Sequence, residues 1–256
     1  SVRAPMRVFI TGASSGLGRA LVERYLSEHA VVGALARRTD ALADLVERYP
    51  AQLTPYAGDV RDTHAMQHAA AQFLANGGVD VVIASAGVSC GTLTEYAEDL
   101  PAWQQTFDTN VIGVVKTFQP FLADMKARRH GVLAGIASVA GVRGLPGAGA
   151  YSASKAALIN YMEALRVDLR GSGVTALTVR PGYIRTPMTA VNPYRMPFLL
   201  DADDAARRIM SAIRARRTLL TVPWQMSIVC RILSVLPRPI FDRLFDRAPR
   251  KPRHLL

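Results

Sequence analysis

Apolar residues in this chain fall into short unbroken runs, and between the runs they recur at three- and four-residue spacing. The runs at 7–11, 31–36, 53–57, 79–84, 131–138, 174–179 and 218–222 read as strands buried on both faces. The stretches 16–28, 39–49, 63–74, 101–109, 111–129, 150–170 and 201–216 carry helical spacing. Strands that alternate with helices predict a parallel sheet covered on both sides, with right-handed crossovers, so the fold class is α/β, a doubly wound sheet of about seven strands. No linker, repeat or composition break divides the pattern. We therefore read residues 1–256 as a single domain, with a core over about 6–222 and a helical extension over 223–256; the residues before Met6 are left out of this reading.

Composition narrows the function classes. Half of the residues are hydrophobic, enough for a substantial core. The formal charge of +11 comes mostly from arginines spread over several predicted helices, with lysine only at 116, 126, 155 and 251. No dense basic run with interleaved aromatics precedes the last third, so a solvated basic surface fits better than a nucleic-acid partner. Cys90 and Cys230 are too few for a disulfide framework, and no basic-then-apolar leader opens the chain; both points lead us to expect a reduced, cytoplasmic protein. His64 and His68 share a predicted helix face but lack companion ligands, so no metal is expected. Asp203 and Asp204 suit the positive end of a helix rather than a catalytic carboxylate pair.

Three local patterns carry chemistry. Thr11-Gly-Ala-Ser-Ser-Gly-Leu-Gly18 joins the first strand to the first helix. Gly12, Gly16 and Gly18 permit a tight turn and close approach of a pyrophosphate to the helix N-terminus, beside Ser14, Ser15 and Leu17. At the end of the second strand stand Arg37 and Arg38, with no acid before Asp40. An acid there would hold a ribose 2′-hydroxyl, whereas guanidinium matches a 2′-phosphate, so NADP(H) is preferred over NAD(H). Tyr151 and Lys155 lie four apart on one predicted helix face. A cation beside a phenol lowers its pKa toward neutrality and fits it for proton transfer.

With these residues goes a wider set: Asp59-Val60, Asn110-Val-Ile-Gly113, Ser138, Tyr151-Ser-Ala-Ser-Lys155 and Pro181-Gly-Tyr-Ile-Arg-Thr186. In order and spacing the chain resembles the short-chain dehydrogenase/reductase family, in its compact branch, over about residues 6–222. The resemblance implies a Rossmann-like fold and an NAD(P)-dependent enzyme interconverting a ketone or aldehyde with an alcohol. By that resemblance Tyr151 is general acid or base, and Ser138 positions the substrate oxygen. Lys155 holds the nicotinamide ribose, and Asn110 supports a water-mediated proton path. Asp59 and Val60 contact adenine, and Pro181, Gly182, Ile184 and Thr186 the nicotinamide region. Ser85-Ala86-Gly87 stands where the family has Asn-Ala-Gly; the asparagine ties the sheet to the cofactor loop, and Ser85 is expected to make a local substitute. The family's dimers and tetramers make a homodimer or homotetramer an expectation.

The loop 186–200 contains Met188, Tyr194, Met196 and Phe198, which makes a lipophilic small-molecule carbonyl or alcohol the expected substrate. Past residue 222, Ile228, Val229, Ile232, Leu233 and Leu236 share a helical face, as do Ile240, Phe241, Leu244 and Phe245 after a proline break. Prolines and Arg231 make a spanning helix unsuitable. Two readings remain for 223–256: helices packed on the core or a second subunit over the substrate pocket, or a basic amphipathic element lying on a membrane. A competing class is a catalytically weak nucleotide-binding or membrane-associated protein that keeps the fold.

Overall fold

The structure, a computed structural model, describes residues 4–256; residues 1–3, part of the segment left out of the reading above, lie outside them. The chain begins β1 (Arg7–Thr11), α1 (Gly16–Ser27), β2 (Val31–Ala36), α2 (Ala43–Arg48), β3 (Leu53–Ala57), α3 (Thr63–Leu74) and β4 (Val81–Ala84). It continues through α4 (Leu100–Phe107), α5 (Gly113–Arg128), β5 (Gly131–Ile136), α6 (Gly149–Asp168) and β6 (Val174–Pro181). Then come β7 (Ile184–Arg185), α7 (Pro187–Ala190), β8 (Leu200–Asp201), α8 (Ala202–Arg214), β9 (Leu219–Val222), α9 (Gln225–Val235) and α10 (Arg238–Phe245).

Seven parallel strands form one sheet in the order β3-β2-β1-β4-β5-β6-β9, the doubly wound arrangement expected. The order reverses between β1 and β4, and ligands in such sheets bind outside the carboxyl ends of the strands at that point. One face is covered by α1 and α8, whose Leu21, Val22, Ile209 and Ile213 pack on Val8, Ile10 and Leu177. The other lies under α3, α5 and α6, around Phe9, Phe73, Phe118 and Phe121. Gly33 sits within β2 because this aromatic cluster fills the space: a Cβ there would stand 2.8 Å from the rings of both Phe9 and Phe73.

The differences from the expected elements have local causes. The fourth strand starts at Val81, not at residue 79, because the amide of Val79 is taken by a side chain, while Asp80 N still donates to Arg7 O on β1 at 2.9 Å. Asp124 accepts from Val79 N at 3.1 Å, and Asp80 accepts from Arg7 N at 2.8 Å. The helix expected over 39–49 opens as a 3-10 turn at Thr39–Leu42. The stretch expected as two helices meeting at residue 110 is continuous, with a π-turn at Asp108–Ile112 between α4 and α5. A short parallel pair, β7 with β8, closes the two ends of the loop read over 186–200.

Candidate active site

The glycine turn after β1 is built by steric necessity. Gly12 and Gly16 have φ of +63° and +57°, where side chains are strained. A Cβ on Gly18 would stand 2.1 Å from Gly12 O. Only hydrogen fits, so the turn lies flat against the N-terminus of α1 and leaves a cradle for an anion. Gly12, Ser14, Ser15, Gly16, Leu17 and Gly18 all line a long cleft across the carboxyl ends of β1, β2 and β4.

Along that cleft the structure gathers most of the residues singled out in the sequence. Arg37, Asp59, Val60, Ser85, Ala86 and Gly87 line it, as do Ser138, Tyr151, Lys155, Pro181, Gly182, Ile184 and Thr186. Arg38 does not: it precedes the 3-10 turn, exposed and away from the cleft wall, so only one of the two arginines faces the site. Arg61, not singled out by the sequence reading, joins the lining and clamps Asp59, donating from its backbone at 2.9 Å and from Nη2 at 2.8 Å. That guanidinium holds the Asp59 carboxyl below its usual range.

The expected role of Ser85 is filled differently. Thr11 Oγ1 accepts from the backbone amides of Ser85 at 3.2 Å and Ala86 at 3.3 Å. The tie between β1 and the loop after β4 therefore runs through the main chain and does not require an asparagine.

Asn110 is fully buried in the π-turn and outside the cleft lining. Its Oδ1 accepts from Val88 N at 2.9 Å, while Nδ2 donates to Val88 O at 3.0 Å and Ser154 Oγ at 3.1 Å. Ser154 in turn donates to Tyr151 O at 2.8 Å. A Cβ on Gly87 would come within 3.3 Å of Asn110 Oδ1 and 3.6 Å of Lys155 Nζ, so the asparagine lies beside the lysine.

Tyr151 and Lys155 share one face of the first turns of α6, as their spacing predicts. Lys155 Nζ donates to Ile136 O at 2.9 Å and stands 5.8 Å from the centroid of the Tyr151 ring. Ser138 follows β5, and its Oγ accepts from Ala140 N at 3.0 Å. The loop 139–145 is pinned to α6 by Ser152, whose Oγ accepts from Leu145 N at 3.1 Å and donates to the carbonyls of Ala140 and Arg143. Ser152 and Ser154 were present in the Tyr-Ser-Ala-Ser-Lys stretch but were not singled out; their one-and-three offset from Tyr151 was the available signal.

The electrostatics reverse one expectation. Burial pushes the Tyr151 hydroxyl up, a hydrogen bond with Ser138 pulls it back, and Tyr183 adds a smaller upward push. The ammonium of Lys155 is itself pulled from 10.5 to about 8 by burial. Loss of water outweighs the cation–phenol attraction on which the sequence argument relied. At neutral pH the tyrosine thus keeps its proton and is suited to donate it.

Fold and cleft together define a dinucleotide-binding α/β protein. A family model for short chain dehydrogenases matches residues 6–195. An uncharacterized oxidoreductase of Myxococcus xanthus is 40% identical over 240 residues, 91% of this chain and 93% of that protein. A short chain dehydrogenase from Burkholderia cenocepacia J2315, solved in complex with NADP, superposes with a TM-score of 0.82 at 23% identity, covering 94% of this chain and 97% of that one. A Burkholderia phymatum short chain dehydrogenase/reductase, solved in complex with NAD, gives 0.80 at 26% identity over 98% of each chain. The chain belongs to the short-chain dehydrogenase/reductase family, and its activity is that of an NAD(P)-dependent oxidoreductase.

Proposed function

We propose that this protein reduces a ketone or aldehyde to an alcohol with NADPH, using Tyr151 as the proton donor. The observation that carries this reading is the phenol on α6, held protonated at neutral pH by desolvation, with Ser138 on the same cleft wall and Lys155 Nζ 5.8 Å from its ring centroid. When bound, a reduced nicotinamide supplies the hydride that the carbonyl carbon accepts as its π bond opens. Ser138 and Tyr151 hold the carbonyl oxygen, and Tyr151 delivers the proton that completes the hydroxyl. Lys155 favours proton loss from the phenol as the step proceeds. Asn110 keeps the loop after β4 and the start of α6 in register, next to the lysine through which a proton can be replaced.

Gly12 and Gly18, which admit no Cβ, Gly16 at its positive φ, and the cleft that follows them fit a dinucleotide. Arg37 on the cleft wall, at the end of β2 where an acid would hold a ribose 2′-hydroxyl, supports NADP(H) over NAD(H). Met188 on the cleft wall, with Tyr183 and Tyr194 close to Tyr151, supports a substrate with an apolar body; the two tyrosine rings meet edge to face at 6.3 Å. The whole works as one domain, with 223–256 as an extension of the core.

The test is cofactor oxidation across a carbonyl panel. Tyr151→Phe lowers kcat by about 10²–10⁴-fold with NADPH binding kept within about threefold. If both proteins bind NADPH and neither turns over any substrate, the protein is a nucleotide-binding module rather than an enzyme. Arg37→Asp shifts preference toward NADH by about tenfold or more; a wild type that already favours NADH sinks the cofactor assignment.

A second reading concerns the extension. The inner side of α9 packs on the core through Met226 and Cys230, both buried. Its outer side exposes Trp224, Ile228, Ile232 and Val235 in one stripe, and Ile240 and Leu244 on α10 are exposed as well. With Arg231, Arg238, Arg243 and Arg247 among them, this face suits contact with an anionic bilayer surface. No helix among the described residues is long and apolar enough to cross a membrane.

A further inference from the structure

The chain's last residues return to the site. Residues 250–253 lie as a strap across two loops, one before α4 and one before α6. Gly91 N donates to Pro252 O at 2.8 Å, and Thr92 N bonds Gly147 O at 3.0 Å beneath. Both loops present glycine where the strap passes. A Cβ on Gly91 would stand 2.1 Å from Lys251 O, and one on Gly147 would stand 2.5 Å from Arg250 Cδ. Beyond the crossing, Arg253 grips Asp99 with two bonds of 2.8 and 2.9 Å and reaches Glu98 at 3.3 Å. Its guanidinium also lies 3.8 Å from the centre of the Tyr96 ring. Asp99 is only 3% exposed and also accepts from Leu93 N at 2.8 Å, so the grip closes on a fixed acceptor.

This seating brings one side chain beside Tyr151, outside the cleft wall that carries most of the other site residues. Lys251 Nζ stands 5.8 Å from the centroid of the Tyr151 ring, as far as Lys155 Nζ does. Two of the four lysines in an arginine-rich chain therefore meet at one phenol. Their situations differ. Lys155 is tied to Ile136 O, whereas no carboxylate lies within ion-pair distance of Lys251 among the described residues. The ionisable group that bears on it is the buried Cys90 thiol, and burial pulls the ammonium's pKa down. A half-buried cation without an anion is costly, and here the fold holds it in place with a charged clamp on its own strap.

We propose that Lys251 is a specificity-determining residue that binds a carboxylate on the substrate, so that the compounds reduced at Tyr151 are oxo acids with an apolar body. This rests on the carbonyl-reductase reading above. The carbonyl oxygen goes to Tyr151 and Ser138, and the acid group to Lys251. Arg253 and Asp99 are positioning residues that act by seating the strap.

Matched pairs test the idea: benzoylformate and 3-benzoylpropionate, each against its methyl ester. The wild type favours the acid of at least one pair in kcat/KM by roughly 10- to 100-fold, the worth of a charge-assisted hydrogen bond. Lys251→Met collapses that acid-to-ester ratio, mainly through KM of the acid, and Lys251→Glu inverts it. Arg253→Ala lowers the same ratio and adds little on top of Lys251→Met. A wild type that treats acid and ester alike, or a ratio unmoved in both Lys251 variants, overturns the proposal. Calorimetry on the NADP⁺-loaded protein separates this from failure of the reductase reading. There 4-phenylbutyrate binds at least tenfold tighter than 4-phenylbutanamide, and Lys251→Met removes the difference even if no ketone is turned over. Equal binding of the two counts against the anion site whatever the turnover.

Discussion

A lysine that has lost its water and gained one carbonyl partner is a liability to the fold. Lys155 is 5% exposed, and its folded pKa of about 8 lies below the ordinary 10.5. Between those values the unfolded chain binds the proton that the folded chain releases, so stability rises with pH across that window. Below pH 8 the full penalty applies, on the order of 3 kcal/mol for a difference of this size. Lys155→Met is therefore expected to raise the unfolding free energy at pH 7 by up to that amount, with the gain vanishing near pH 10.5. Urea titrations at pH 7, 9 and 10.5 check this; a variant less stable at pH 7 contradicts it. The same burial that destabilises the lysine keeps Tyr151 protonated, so stability is traded for a ready proton donor.

Among the elements, the π-turn between α4 and α5 does the most to organise the site. Such turns widen a helix by one residue and often mark functional positions. Here the widening aims Asn110 at Val88, where one carboxamide satisfies both backbone groups of a loop residue. Asn110→Ala leaves that half-buried amide and carbonyl without their side-chain partner, and we expect a loss of about 2–4 kcal/mol. At roughly 2–4 °C per kcal/mol for a chain of this size, calorimetry should record a Tm drop of about 5–15 °C. A drop below about 2 °C would mean that water or a neighbouring group replaces the carboxamide. The two helices flanking the turn were legible from their spacing alone. The turn was not, because i to i+5 bonding leaves no distinct hydrophobic period over five residues. The β7–β8 pair was hidden for a similar reason: two-residue strands are too short to show alternation.

For the molecule as a whole, the extension after β9 serves two surfaces. Its start covers the core beside β9, its middle exposes an apolar and arginine-rich face, and its end returns to Tyr151. Mixing the full chain with vesicles containing phosphatidylglycerol should carry it into the floating fraction at low salt, with a blue shift in Trp224 emission. Replacing Trp224, Ile228, Ile232 and Val235 by serine should abolish both. If the quadruple variant floats equally well, the membrane reading fails; if it instead halves the mass in solution, the face is a subunit contact.

What the sequence determined by itself is whatever depends on neighbours in the chain. Strand and helix order follows from hydrophobic period, the glycine turn from backbone sterics, and the Tyr151–Lys155 face from helical pitch. Only the tertiary structure decided which of Arg37 and Arg38 faces the cleft, how Thr11 replaces the missing asparagine, and which way burial moves the tyrosine. It also placed Lys251 at the ring of Tyr151, 100 residues away along the chain. Desolvation and partnership are properties of three-dimensional surroundings, and no local pattern encodes who those neighbours will be.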